Sequence, residues 1–461
     1  MRSRITLAAL LLGTAAIPAQ AAVVGVFHEN LNAGNNSVFI FGSAGTTGTI
    51  SGSDGLNDTF TLGSEGVFEF GFGTAGREMG SSGVVNSLSY TIRSDDEANR
   101  PISALALNRA RASTDMTTLL DTDGLGSDYI VLTHPGTFGA GSQMSVTAIE
   151  DNTVVTITPK NLRGKPDGTP FDVTLQAGES IFYNSTAANG REVSDLSGTR
   201  VSANRDVAVF AGAECTQVPN GVPACDHLIS QQFSTDNFDR SFRISENFGG
   251  GTDSDLVRVI ASQDGTEVFL NGVSRGTIDA GEVLTIDSAG NGMLTSSKPV
   301  QVGQFVRGQD GTRTTGDPAF AIIPSLDQQL DGYAFSTPIG SDSFSQNFLN
   351  VAIDSTLATS LLLNGTSVDT SGFSLLDGVL YGNIEIGVGS GLIEADGTFL
   401  ATIAGFSGFD SYFSPIATAF SPGVSPPPPP PDIDVVPLPA AGWMLLASLG
   451  GLAAVRRRKS R

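Results

Sequence analysis

Between about residues 22 and 423 apolar runs alternate with polar, turn-forming clusters. Short runs rich in Val, Ile, Phe and Thr are separated by clusters of Gly, Asn, Asp and Ser, the pattern of many strands joined by turns. In Thr153-Val154-Val155-Thr156-Ile157, Val155 and Ile157 share one face and Thr156 takes the other, while Val154 breaks the polar side. Half-buried antiparallel strands follow from such a pattern. No long segment carries the spacing of an amphipathic helix, so the body is expected to be all-β.

The pattern also recurs. A Ser/Asn-Gly pair leading to an apolar run occurs as Ser82-Gly83 before Asn99-Arg100-Pro101-Ile102 and as Ser197-Gly198 before Asn204-Arg205-Asp206-Val207. It returns as Asn291-Gly292 before Ser297-Lys298-Pro299-Val300 and, more weakly, as Ser390-Gly391 before Gly397-Thr398-Phe399-Leu400, the glycines being 115, 94 and 99 residues apart. Upstream of each lies a turn: Leu62-Gly63-Ser64-Glu65, Ala177-Gly178-Glu179, Ala280-Gly281-Glu282 and, without the Glu, Leu376-Asp377-Gly378. In the two middle copies a strand pair precedes the turn, Ser145 to Ile149 with Thr153 to Ile157, and Val257 to Ala261 with Thr266 to Leu270. Seven strands in about 100 residues is the size of one β-sandwich. We therefore expect four tandem sandwich-like repeats at 22–127, 128–239, 240–331 and 332–423. A β-propeller with two blades per repeat is the alternative, disfavoured because seven strands divide poorly into four-stranded blades. A leftover strand, Ser411 to Ala417, could close a ring by pairing with the first unit.

The two ends read as addresses. Arg2 and Arg4, an apolar run from Ile5 to Ile17 and Ala19-Gln20-Ala21 follow the order of a secretory signal peptide over 1–21, with cleavage expected between Ala21 and Ala22. At the other end a Pro-rich linker over 424–435 holds six consecutive prolines, a stiff extended spacer. Segment 436–461 then runs Val436-Pro437-Leu438-Pro439-Ala440, an apolar stretch over 440–455, and Arg456-Arg457-Arg458-Lys459. Such a stretch would form a transmembrane helix holding the chain transiently in the membrane, basic end in the cytoplasm. This order resembles the VPLPA-type PEP-CTERM sorting signals of Gram-negative bacteria. The resemblance implies an exosortase as processing partner and loss of the tail near Val436 to Ala440; a permanent anchor is the alternative.

Cys215 and Cys225, the only cysteines, flank two prolines and Asn220-Gly221. A turn between them can bring their Cα atoms into disulfide range, and an exported chain favours the bond. The net charge of −22, with no basic patch in the body, argues against nucleic acid as a partner. Loss of both ends would remove seven of the 25 basic residues and none of the 47 acidic ones, leaving a still more acidic body. His28, His134 and His227 lie about a hundred residues apart, which favours structural roles over a zinc site, and no hydrolase or phosphate-loop motif occurs. No catalytic residue is expected. Asp95-Asp96-Glu97, Asp121-Thr122-Asp123 with Asp128, and Asp253-Ser254-Asp255 read as solvated acidic turns. Calcium is the one cofactor they would suit, and none matches an EF-hand or nonapeptide repeat.

One stretch of the body, about 100–330, resembles the N-terminal domain of the IgGFc-binding protein family. The residues that carry this are Thr147-Ala148-Ile149-Glu150-Asp151-Asn152-Thr153-Val154, Val173 to Glu179, Asp195 to Val201, Asp206 to Gly212 and the run Cys215 to Cys225-Asp226-His227-Leu228. The first and fourth units join it only through the internal repeat. The resemblance implies an extracellular binding or matrix role toward a glycan or protein ligand. A carbohydrate-active hydrolase and a self-assembling surface protein are the competing readings.

Overall fold

The computed structural model describes residues 22–420 except 32–33, 75–76, 138–140, 186, 189–191, 248–253, 310–314 and 340–343. The leader with Ala21, the linker, and the tail over 436–461, with Val436 to Ala440 and Arg456 to Arg458, lie outside the described residues. Within them the regular structure is β-strand with four short 3-10 turns, and no helix is long and apolar enough to cross a membrane.

One layout recurs, built on a strand long enough to serve two sheets. The first half of Arg200–Thr216 pairs with the opening strand Gly126–Ile130 and with Thr153–Thr158, and the second half pairs with Ser142–Ala148 and Asp226–Gln231. The strand curls from one sheet into the other, and Val146, Val155, Ile157, Val201 and Val209 fill the space between. Gly292–Val306 does the same with Asp239–Ile244, Thr266–Leu270, Leu256–Ala261 and Ala319–Ile322. Ser390–Ser407 does so with Leu330–Ser336, Leu362–Leu363, Gln346–Asp354 and Asp410–Pro415. In the first unit the long strand is broken by residues 95–101 into Tyr90–Ser94 and Ile102–Ala110. These pair with Val23–Gly25, Thr47–Ser51, Asn35–Gly42 and Ser113–Leu119.

Three expectations are corrected here. The strand pairs at 145–157 and 257–270 are not hydrogen-bonded to each other; the turn between their members carries the chain across to the facing sheet, so they meet only through the long strand. Ser82-Gly83 leads into Val84–Asn86, which extends the second unit at Ser180 to Phe182; the strand that faces the opening strand of the first unit is Tyr90–Ser94. Asp410–Pro415 pairs by backbone with its own unit's long strand and reaches the first unit through side chains.

The last strands of the four units, Ser113–Leu119, Asp226–Gln231, Ala319–Ile322 and Asp410–Pro415, converge, each packed against its neighbours. No backbone ladder joins them to one another; polar side chains do. Ser113 Oγ, Asp115 Oδ2 and Thr117 Oγ1, on one face at i, i+2 and i+4, accept from the amides of His227, Ile229 and Gln231 at 3.1, 3.1 and 2.9 Å. Asp115 Oδ2 also accepts from Phe320 N at 3.0 Å, and its Oδ1 from Met116 N at 2.9 Å and Phe413 N at 3.3 Å. One fully buried carboxylate thus takes an amide from every unit. Ser230 Oγ accepts from Ile322 N at 3.1 Å, and Thr118 Oγ1 meets Ser414 Oγ at 3.1 Å, which closes a ring. Burial pushes the Asp115 carboxyl well above its ordinary value, and the four amides act against that rise.

Between successive units, the residue beyond the opening strand meets the next unit. His28 Nε2 lies 2.8 Å from Ser145 Oγ, and Asn247 Oδ1 accepts from Asn350 Nδ2 at 2.7 Å. His134 faces the next unit's Arg258, whose charge, after burial, is the larger influence holding that ring neutral. Arg258 Nη2 pairs with Asp195 Oδ2 at 2.7 Å, and its Nη1 reaches Ser197 Oγ at 3.3 Å and the Thr133 carbonyl. The glycine turns dock here as well: Ser89 Oγ and Ser53 Oγ donate to Gly178 O at 2.8 and 3.0 Å, and Gly198 lies against Gly281 O. The junction of the fourth and first units also holds an apolar cluster, with Phe39, Phe41 and Leu105 packed together with Leu349, Val351 and Tyr412.

Two predictions follow from these junctions. Gly198 has φ of +92°, and a Cβ there would lie 2.6 Å from Gly281 O, so Gly198→Ala should lower stability by about 2 kcal/mol in chemical denaturation. Arg258→Ala should cost about 3 kcal/mol, because it strands the half-buried Asp195, and adding Asp195→Asn should recover part of the loss. Burial alone would raise Asp195, but Arg258 and the bonds from Ser197 carry its carboxyl below 3.8. A depressed acid stabilises above its unfolded value, so this contribution should be present at pH 5 and fade as pH falls through the folded value.

Candidate functional site

Each long strand turns into its converging strand at the same end of the ring, and the four turns differ most. The first is the tight turn at Arg111 and Ala112, where Ala112 takes φ of +55°; the fourth is equally short, at Gly408 and Phe409. In the second, residues 217–225 form a loop closed by the Cys215–Cys225 disulfide, with Cα atoms 5.3 Å apart. The bridge joins the end of Arg200–Thr216 to the start of Asp226–Gln231, as the turn signals between the cysteines imply. Gly308 N donates to Val218 O at 2.8 Å, Gln309 Nε2 to Gly408 O, and Gly316 N to Ser407 O at 2.7 Å. The loops therefore touch in succession around the axis and form a crown.

A cleft of about 530 Å³ opens in this crown where the first and fourth units meet. Arg109 and Arg111 line it from one turn, Phe409 and Asp410 from the other, with Asn35 and Phe344 between. Phe409 is 63% exposed, Arg111 is exposed, and Phe344 is buried beneath the Arg109 guanidinium, 5.6 Å from the ring centre. Guanidinium groups pair with carboxylates in a planar fork, and an exposed ring supplies an apolar stacking face. Sequence reasoning missed this site, because its residues come from positions about 300 apart and each is an ordinary strand-end or turn residue by itself.

The histidines do not meet at a site of this kind. All three are buried; desolvation, then the charge of His227, carries His28 well below its ordinary value. Burial and then Arg258 bring His134 down to about 4, and burial brings His227 down to about 3, so all stay neutral near pH 7. Asn108 joins two of them, its Nδ2 donating to His28 O at 2.9 Å and approaching His227 Nε2. Among the described residues no three His, Cys, Asp or Glu side chains are arranged to hold a metal ion.

The acidic turns are only partly solvated, which corrects their reading from sequence. Asp255 is 1% exposed, and its Oδ2 accepts from Asn247 N at 3.1 Å, Asn247 Nδ2 at 2.8 Å and Gln304 Nε2 at 2.7 Å. Asp121 is 3% exposed and its side chain accepts from Asp123 N. Burial, then the charge of Asp121, pushes Glu97 up to about 7. Asp95 and Asp96 do lie at the surface, and Asp253 is outside the described residues.

Comparison with known proteins places this scaffold. The family model described as IgGFc binding protein matches residues 115–405, so the match begins at the central carboxylate and runs through most of the fourth unit, beyond the stretch legible from motifs. The human IgGFc-binding protein is 28% identical over 249 residues, which are 52% of this chain and 4% of that protein. The chain thus corresponds to a small part of that relative's length. With more than half of its residues under the family model, the chain belongs to the IgGFc-binding protein family.

Proposed function

We propose that the protein is an exported, non-enzymatic binding component of a bacterial surface or extracellular matrix. On this reading four copies of one β repeat form the ring, and the crown of loops faces the ligand. The observation that carries the reading is the cleft between the first and fourth units. In a chain of net charge −22, it gathers Arg109 and Arg111 beside an exposed Phe409. That chemistry suits an acidic glycan, with a sugar carboxylate on the exposed Arg111 guanidinium and an apolar sugar face on the Phe409 ring. Antibody Fc, in the human relative's name, is not carried over, since only 4% of that protein is matched. The signal peptide, the exosortase step and the transient hold by residues 440–455 rest on the terminal patterns.

Titration calorimetry of the secreted protein with a uronate-bearing polysaccharide tests the ligand. Binding should weaken about tenfold in Arg111→Ala, with Tm unchanged because Arg111 is exposed; equal affinity in both proteins would remove the cleft from the account. Mass spectrometry of the mature C-terminus tests the sorting step. A terminus near Val436 to Ala440 is expected, and an intact Arg461 would indicate a permanent anchor instead.

A further inference from the structure

The start of the body is gripped at its backbone. Ala22 is 1% exposed. Its carbonyl accepts from Thr122 N at 2.7 Å, and its nitrogen donates to Thr122 Oγ1 at 3.2 Å, a hydroxyl that lies 3.5 Å from Asp121 Oδ1. Asp121 is fixed in turn, because its Oδ1 accepts from Asp123 N at 3.0 Å and its amide donates to Phe420 O at 2.9 Å. Ala22 and Phe420, at the two ends of the body, thus meet through one acidic residue.

The surroundings favour a cation at that nitrogen. Glu97, Asp121 and Asp123 line a cleft of about 250 Å³ with Pro101 and Phe420, and among the described residues no lysine or arginine lines it. Burial raises Asp121 above the ordinary carboxylate value, with the charge of Asp123 adding to the rise. Arg93 acts on Glu97 from nearby, more weakly than burial and Asp121 do. While the chain continues through Ala21, the Ala22 position offers this acidic group a neutral amide and no charge.

Resting on the reading of residues 1–21 as a removable leader, we propose that Asp121 is a preformed receptor for the α-ammonium group of Ala22. Hydrolysis of the Ala21–Ala22 bond creates that group. Water gives its hydroxyl to the carbonyl carbon of Ala21 and a hydrogen to the nitrogen of Ala22, which then takes a proton from solvent. A neutral amide beside the Asp121 carboxylate becomes an ammonium that pairs with it, and export processing tightens the point where the ring closes. An ammonium held by a carboxylate has a raised pKa, so the stabilisation is full below its unfolded value of about 8 and is lost as pH rises through the folded value.

The test begins with N-terminal sequencing of the exported protein. The full chain from Ala22 onward is then compared with a free and with an acetylated N-terminus, in wild type and in Asp121→Asn, which keeps the shape of the turn. The free form should melt higher at pH 7 by on the order of 2 °C, with no difference above about pH 10 and none in Asp121→Asn. Acylation of the folded protein's α-amine by a succinimidyl ester should be about tenfold slower in wild type than in Asp121→Asn. A start at Ala22 with equal melting and equal acylation overturns the receptor while leaving the leader reading intact. A start elsewhere overturns both.

Discussion

Where four strands from four separate units meet at one axis, their inward amides cannot be satisfied by a common sheet, and each buried amide left unpaired costs about 1–3 kcal/mol. The acceptors come from side chains, and Asp115 supplies the most, taking Met116, Ile229, Phe320 and Phe413. Ser113 and Thr117 extend the same face. This explains a buried strand with the sequence Ser-Thr-Asp-Met-Thr-Thr-Leu, which hydrophobic packing would not select. The ring is specified by polar chemistry at its centre and by packed sheets around it.

Closing the ring sets where function can lie. Every long strand enters its converging strand at the same end, so the connecting turns form one crown, whose scaffold is held by Asp115 while its loops are free to differ. The disulfide closes one of these loops, and the cleft with Arg111 and Phe409 lies between two others. Variable loops on a rigid frame are the usual arrangement of binding surfaces. At the opposite side of the same logic, the junctions between units are conservative in kind. A residue beyond the opening strand, His28, His134 or Asn247, faces a polar side chain of the next unit, while the closing junction packs an apolar cluster away from the axis.

Much of the fold was legible because it is local. Alternation marked the strands, and the glycine turns at Gly178, Gly281 and Gly378 have the positive φ that their spacing suggests. In the two middle turns the recurrent Glu has a mechanical reason: Glu179 accepts from Gln176 N at 2.8 Å and Glu282 from Asp279 N at 3.0 Å, each closing its own turn. Pairing was less legible, since Ser145 to Ile149 and Thr153 to Ile157 look like a hairpin but face each other across the core. Periodicity does not distinguish a turn within a sheet from a crossing between sheets. The axis was not legible because Ser113–Leu119 is polar and the amides its side chains take lie more than a hundred residues away, and Asp121 and Asp255 looked like surface acids because their partners are backbone amides or distant residues.

The account depends most directly on Asp115, and calorimetry of Asp115→Ala tests it. Removing the carboxylate strands four buried amides at once, so the loss should be about 4 kcal/mol or more, with the single transition expected for the native ring splitting as the units uncouple. Asp115→Asn should be nearly as harmful, because its amide group would face two N–H donors on one side. An Asp115→Ala protein that melts in one transition within about 1 °C of wild type would contradict the claim that this side chain holds the four units together.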